Sequence, residues 1–351
     1  MTGRLDGHLK LRPRLPAQFW HRAGIRAGLL YGAAVGRPIE VAGARMDPVM
    51  SALVRFVRKM HGGGDAGAGA GAAAGGGLHG LRALRAQYEK APGLMGLHPD
   101  PEVTPRAVDG LPGALEYAFR GPGEEPQGTL LYLHGGGFMM GSPATHDALC
   151  RRLARRGGVR VVNAPYRLAP EHPFPAAHDD AAAAWGWVRA NRPGPHLAGG
   201  DSAGANLAAG LPGAAMTVLL YPVVDMIEDE TLYPSIGLFG EGFLLTRQGM
   251  EECARLLVPP GTDRTDARLS PLRGDLSRAA PTVVCVAGFD PLRDQGRAWV
   301  AAVRAAGQQA ELLEEAGLVH GFADFAGVVP AARRAVDRVA EAVRAGVAGL
   351  A

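Results

Sequence analysis

The stretch GGDSAGANLA, opening at Gly199, sets Ser202 between Gly200 and Gly204 at the junction of a short apolar run and a helical pattern. With 51 glycines and six serines in 351 residues, chance supplies such a stretch in roughly one chain in eight of this composition. Its context raises its meaning. A serine on a sharp strand-to-helix turn takes strained backbone, and the positions two before and two after must be small because neighbouring chain passes within contact distance. Such a turn lifts the hydroxyl to the sheet edge, where the helix N-terminus favours developing negative charge. A hydroxyl is a weak nucleophile at neutral pH, so it needs a base and a carboxylate to orient that base. Asp290 closes the apolar run PTVVCVAGF, and His320 follows AELLEEAGLV beside Gly321. Asp225 and Asp294 are rival acids, and Asp290 is preferred as the first carboxylate beyond its strand. His146, His172 and His178 precede the serine and break the order serine, acid, histidine.

Acyl transfer through a tetrahedral intermediate places negative charge on an oxygen, which needs aimed amide donors. LYLHGGGFMMG, residues 131–141, supplies three bare backbone positions after an apolar run. Gly135, Gly136, Gly137 and Ala203 form the expected oxyanion group, with Gly136, Gly137 and Ala203 as donors and Gly135 shaping the turn. His134 is expected to anchor this loop by hydrogen bonding rather than act as a base. Gly200, Asp201 and Gly204 are expected to support the serine.

These residues must be carried by elements that end side by side. From about residue 100, apolar runs alternate with helical patterns: ALEYAFR, GTLLYLH, VRVVNAP, HLAGG, MTVLLYP, PTVVCVAGF and AELLEEA. The first two read as a hairpin; the later ones are apolar throughout, as strands buried on both faces are. The pattern predicts an α/β doubly wound sheet, whose ligands sit beyond the carboxyl ends of its strands. Before residue 100, helical patterns (46–60 and 78–91) flank the Gly/Ala-rich segment 61–80, read as a mobile connector. No strand precedes that segment, so its glycines are not read as a phosphate loop. Trp20, Ala23, Ala27, Leu30, Tyr31 and Ala34 recur at helical spacing and are expected to pack on the protein, with lipid contact as the alternative. Residues 1–99 thus read as an N-terminal extension and small helical unit, and 100–351 as the α/β domain.

Composition narrows the partners. A net charge of +3 with scattered Lys and Arg gives no basis for nucleic-acid binding. Cys150, Cys253 and Cys285 lack metal-ligand spacing and are odd in number, which points to a reducing, cytoplasmic compartment and no metal. The run AGLLYGAAVG is far shorter than the roughly 20 residues of a transmembrane helix.

HGGGF, GDSAG, YRLAPEHPFPAA, DPLRDQG and HGF together resemble the bacterial hormone-sensitive-lipase family of serine esterases, in its Gly-Asp-Ser-Ala-Gly branch. The resemblance runs from about residue 100 to the C-terminus and includes EGFLLTRQGM and SPL. It implies an α/β-hydrolase fold with a mostly parallel central sheet, helices on both faces and a helical N-terminal cap. It also implies a triad of Ser202, Asp290 and His320 and hydrolysis of short- to medium-chain acyl esters without a cofactor. Glu171 and His172 would then hold loops rather than react. The expected function is a serine carboxylesterase working through an acyl-enzyme, the alternatives being an amidase or deacetylase with the same triad and a non-catalytic receptor. Its partner would be a small ester, with peripheral membrane contact and a homodimer left open. Two features depart from the family: the 13 residues between Ser202 and Met216 are close to the dozen that a parallel crossover needs, and Gln295 stands where Glu is common. The shortening predicts weaker packing beneath the serine.

Overall fold

The computed structural model describes residues 17–60, 77–119 and 125–350. Helices Ala17–Val35 and Pro48–Met60 are joined by a small hairpin of strands β1 (Glu40–Val41) and β2 (Ala44–Arg45), and helices Gly77–Tyr88 and Ala91–Leu94 follow. The expected connector lies outside the described residues as far as residue 76, and its last four residues open helix Gly77–Tyr88.

The remaining strands are β3 (Arg106–Ala107), β4 (Leu115–Tyr117), β5 (Thr129–Leu133), β6 (Arg160–Ala164), β7 (His196–Asp201), β8 (Met216–Leu220), β9 (Thr282–Phe289) and β10 (Ala310–Val319). They form one sheet in the order β10-β9-β8-β7-β5-β6-β4-β3. Pairing is parallel from β10 to β6 and antiparallel only at β6-β4 and β4-β3. The expected hairpin of ALEYAFR and GTLLYLH does not form. β4 pairs with β6, while β5, buried along its whole length, takes an interior place between β6 and β7.

Continuous apolar runs follow from burial on both faces. Leu130 and Tyr132 pack with helices Asp147–Gly157 and Pro330–Ala348 on one side. Leu131 and Leu133 pack with Ala176–Asn191, Ala203–Ala209 and Arg293–Ala305 on the other. Strand β10 sits at the sheet edge, with Glu311, Glu314 and Ala316 exposed. The crossover after Ser202 needs only the seven-residue helix Ala203–Ala209, and Ala203 to Ala208 are all buried. Asn206 Nδ2 donates to Val223 O at 3.1 Å and Leu269 O at 2.8 Å. The packing under the serine is therefore continuous despite the short connection.

Helix Ala17–Val35 turns the other way from expectation. Ile25, Leu29 and Gly32 face the protein, whereas Ala23, Ala27 and Ala34 are exposed, with Leu30 at 44% and Tyr31 at 71%. The side chain of Trp20 lies outside the described residues. Gly32 decides the rotation, because its bare Cα lets Ala52 of the second helix approach. The N-terminal segment is also tied to the chain around β10: Asp47 N–H donates to Gly317 O at 2.9 Å, and Gly327 N–H to Met95 O at 3.1 Å. Among the described residues no helix is long and apolar enough to cross a membrane.

Candidate active site

Strand β7 ends at Asp201, and Ser202 takes φ +51° before helix Ala203–Ala209 begins. This left-handed backbone is costly for a residue with a Cβ, and it persists where packing fixes it. Packing here leaves no alternative: a Cβ at Gly200 or Gly204 would overlap the carbonyl of Leu133 at the end of β5. Asp290 lies just past β9 and His320 just past β10, so neighbouring strand ends deliver both to the serine. His320 Nε2 is 3.0 Å from Ser202 Oγ, and His320 Nδ1 is 2.9 Å from Asp290 Oδ2. Asp290 is fully buried and its Oδ1 accepts the Leu292 N–H at 2.8 Å. The Tyr221 ring packs edge-on against the imidazole, centroids 4.9 Å apart. A neutral histidine with its proton on Nδ1 satisfies both contacts.

The rival acids sit elsewhere. Arg273 holds Asp225 through two bonds of 2.9 and 2.8 Å; Asp294 accepts from Arg293 and from the Ser235 N–H. His172 is exposed, and His178 shares Asn206 Oδ1 at 3.3 Å.

The glycine loop faces Ser202. Gly136 and Gly137 have φ +119° and +62°, angles that favour glycine. Side chains there would overlap Met140 O and meet Cys253 Sγ at 2.6 Å, respectively. The Gly135 N–H is spent on Asp201 Oδ1 at 2.9 Å, so Gly135 shapes the loop and offers no donor. Among the described residues the amides of Gly136, Gly137 and Ala203 have no hydrogen-bond acceptor.

Beneath the loop lies a buried polar cluster. Asp201 Oδ1 also accepts from Tyr132 Oη at 2.8 Å, and His146 Nε2 lies 3.2 Å away, at ion-pair distance but off the line of a hydrogen bond. Burial pulls the His146 imidazolium down, yet the Asp201 charge outweighs it and raises its pKa to about 9. Burial likewise opposes ionisation of Asp201, but His146 and Tyr132 hold its carboxyl below the usual range. His134 is the contrary case: burial and the neighbouring His146 charge lower it to about 4, so it is neutral. Its ring stacks on Tyr166 at 4.3 Å, and its carbonyl accepts the Tyr166 hydroxyl at 2.7 Å. Sequence order alone discarded His146, since a histidine ahead of the serine does not fit the nucleophile order.

Gln295 is buried and fully used: its carbonyl accepts from Val224 N–H and Asp225 N–H at 3.0 and 3.1 Å, and its amide donates to Asp225 O at 3.0 Å. An ionised glutamate could not make the last bond. Arg85 of helix Gly77–Tyr88 reaches Met139 O at 2.6 Å, Ala169 O at 2.9 Å and both Glu171 oxygens. That guanidinium holds the Glu171 carboxyl down to about 2.

Two cavities touch Ser202. One of about 330 Å³ runs under Val57, Tyr88, Ala91 and Met95 and includes His320, Gly136 and Asp324. The other, about 60 Å³, lies beyond Gly137 and Cys253 toward Met226 and Glu228. A third cavity of about 620 Å³ between the first two helices shares no lining residue with these two and, among the described residues, carries only Arg37 and Arg55 as polar side chains. Among the described residues no group of three or more His, Cys, Asp and Glu is set to hold a metal ion.

A family profile described as the alpha/beta hydrolase fold matches residues 130–324. The chain is 38% identical over 312 residues to the carboxylic ester hydrolase LipN of Mycobacterium tuberculosis, covering 82% of this chain and 79% of that one. It is 35% identical to an ethyl acetate hydrolase of Pseudomonas putida, covering 76% and 91%. Among solved structures it is similar to an ester hydrolase from the metagenome of Lake Arreo, with a TM-score of 0.74, 32% identity and coverage of 84% and 97%. An esterase of Pyrobaculum calidifontis superposes with a TM-score of 0.67 at 33% identity, covering 76% and 92%.

Proposed function

The chain belongs to the α/β-hydrolase family, among its hormone-sensitive-lipase-like carboxylic ester hydrolases, and from that premise we propose that it is a serine carboxylesterase acting on short- to medium-chain acyl esters. Ser202 attacks the ester carbonyl while His320 Nε2 takes its proton, and Asp290 holds the imidazole and balances its charge. The amides of Gly136, Gly137 and Ala203 receive the oxyanion, which is worth several kcal/mol when the donors are fixed in advance. His320 returns the proton to the leaving alcohol, and water then releases the acid from the acyl-enzyme. The observation that carries this reading is the continuous Ser202–His320–Asp290 contact at 3.0 and 2.9 Å, facing three unspent amides.

Residues 1–99, through their described helices, act as the cap over the catalytic unit 100–351, supported by Val57, Tyr88 and Met95 lining the larger of the two cavities at Ser202. Its volume of about 330 Å³ falls at the lower end of small-ligand pockets, which supports short to medium chains. The free cysteines support a cytoplasmic setting. Exposed Leu30, Tyr31, Val35 and Phe56 support contact of the first two helices with a lipid surface or with a second copy of the chain.

The test is a series of p-nitrophenyl esters from acetate to laurate, run with wild type and Ser202→Ala. Turnover should peak at short or medium chains and fall by at least ~1,000-fold in the variant, with its circular dichroism spectrum unchanged. A variant keeping a tenth of the wild-type rate would exclude Ser202 as the nucleophile.

A further inference from the structure

The smaller cavity beside Ser202 contains two acids in opposite situations. Asp225 is neutralised by Arg273 and also accepts from Tyr233 Oη at 2.7 Å and Ile227 N–H at 3.0 Å. Glu228 is half-buried and, among the described residues, makes no hydrogen bond or ion pair. The charged groups around it are Glu251, Arg264 and Arg247, which act on it only through their fields. Burial first and Glu251 second push its carboxyl up to about 7, against the pull of the two arginines. Its charge reaches the reacting end of the pocket: it raises the Cys253 thiol, whose Sγ lies against Gly137. Among the described residues no Lys or Arg lines either cavity that touches Ser202, and the one of about 330 Å³ carries a further acid, Asp324, hydrogen-bonded to Tyr88 at 3.0 Å.

A carboxylate on a substrate would therefore enter a half-desolvated pocket with no cation to receive it and an unpaired acid already present. Burying a charge without a partner is costly, and like charges at short range add to that cost. Neutral chains find apolar side chains there, among them Phe138, Val223, Met226 and Met250. We propose that Glu228 is a specificity-determining residue, whose free carboxyl in the pocket beside Ser202 rejects half-esters of dicarboxylic acids and esters of hydroxy acids in favour of neutral esters. This rests on the carboxylesterase reading above.

Two isosteric pairs test it by titrating released acid. Ethyl pentanoate against monoethyl glutarate places the charge on the acyl side. Butyl acetate against 4-acetoxybutyrate places it on the alcohol side. At pH 8 the wild type should strongly prefer the neutral member of at least one pair. Glu228→Gln should raise the anionic-to-neutral ratio of kcat/KM in that pair at least ~10-fold, while Glu228→Asp should keep the ratio near wild type. In the wild type the ratio should also decline from pH 6 to 8 as Glu228 ionises, and it should stay flat in Glu228→Gln. Neutral esters turned over normally, with both ratios unaltered by Glu228→Gln, would overturn the role of Glu228 alone. A wild type inert on all four esters would overturn the carboxylesterase reading and this proposal with it.

Discussion

Asp201 binds the serine turn to the glycine loop. Its backbone precedes Ser202, while one carboxylate oxygen takes the Gly135 amide and the Tyr132 hydroxyl. A buried charge survives only with a partner, and His146 supplies it. The pair sets a pH window for stability. Asp201 is depressed, so its contribution is present above its unfolded pKa of about 3.9 and is lost as pH falls through the folded value. His146 is raised to about 9, so its contribution is complete below about 6.5 and is lost as pH rises toward 9. The Tm gap between wild type and His146→Gln should thus be widest near pH 5 to 6.5 and shrink by pH 9 in a thermal-melt series. A gap independent of pH would show that His146 does not carry charge. That Ser202, Asp290 and His320 come together could be read from the sequence, because the proposed chemistry fixes their types and order. The Asp201–His146 contact could not, since it joins residues 55 apart whose order follows no chemical rule.

At the scale of elements, the close passage of β5 beneath the serine turn is the constraint to test. Gly204→Ala would drive a Cβ into Leu133 O and toward His134 O, moving the loop that carries the proposed oxyanion donors. Overpacking of this kind costs about 1–3 kcal/mol, and a displacement near 1 Å costs on the order of 100-fold in rate. Urea unfolding and ester turnover together measure both, and a variant with wild-type turnover would contradict the packing argument. Arg85 ties helix Gly77–Tyr88 to two loop carbonyls. Arg85→Ala should therefore lose about 1–3 kcal/mol in the same unfolding assay and raise KM more than it lowers kcat. Strands buried on both faces were legible as unbroken apolar runs. Their neighbours were not: β4 beside β6 rather than β5 is a choice among distant partners that local pattern does not encode. The rotation of helix Ala17–Val35 was also hidden, because alanine fits either side of an amphipathic helix and the deciding contact is Gly32 against Ala52.

Over the whole molecule, exposed apolar side chains gather on the first two helices, with Tyr31 at 71% and Val35 at 67%. These project from the end of the chain that also roofs the larger cavity through Val57. The double variant Leu30→Gln, Tyr31→Ser should keep its rate on dissolved p-nitrophenyl butyrate and lose several-fold on emulsified triacylglycerol, if this face meets lipid. Equal rates on the emulsion would leave self-association, checked by sedimentation, as the use of the patch. The two backbone bonds from Asp47 to Gly317 and from Gly327 to Met95 straddle His320. On the proposed cap, lifting the N-terminal helices to admit a bulky molecule therefore strains the segment that carries His320 at both ends. Girth as well as length should then be refused, because a slender chain slips beneath a seated cap whereas a broad one must displace the proposed base in order to enter.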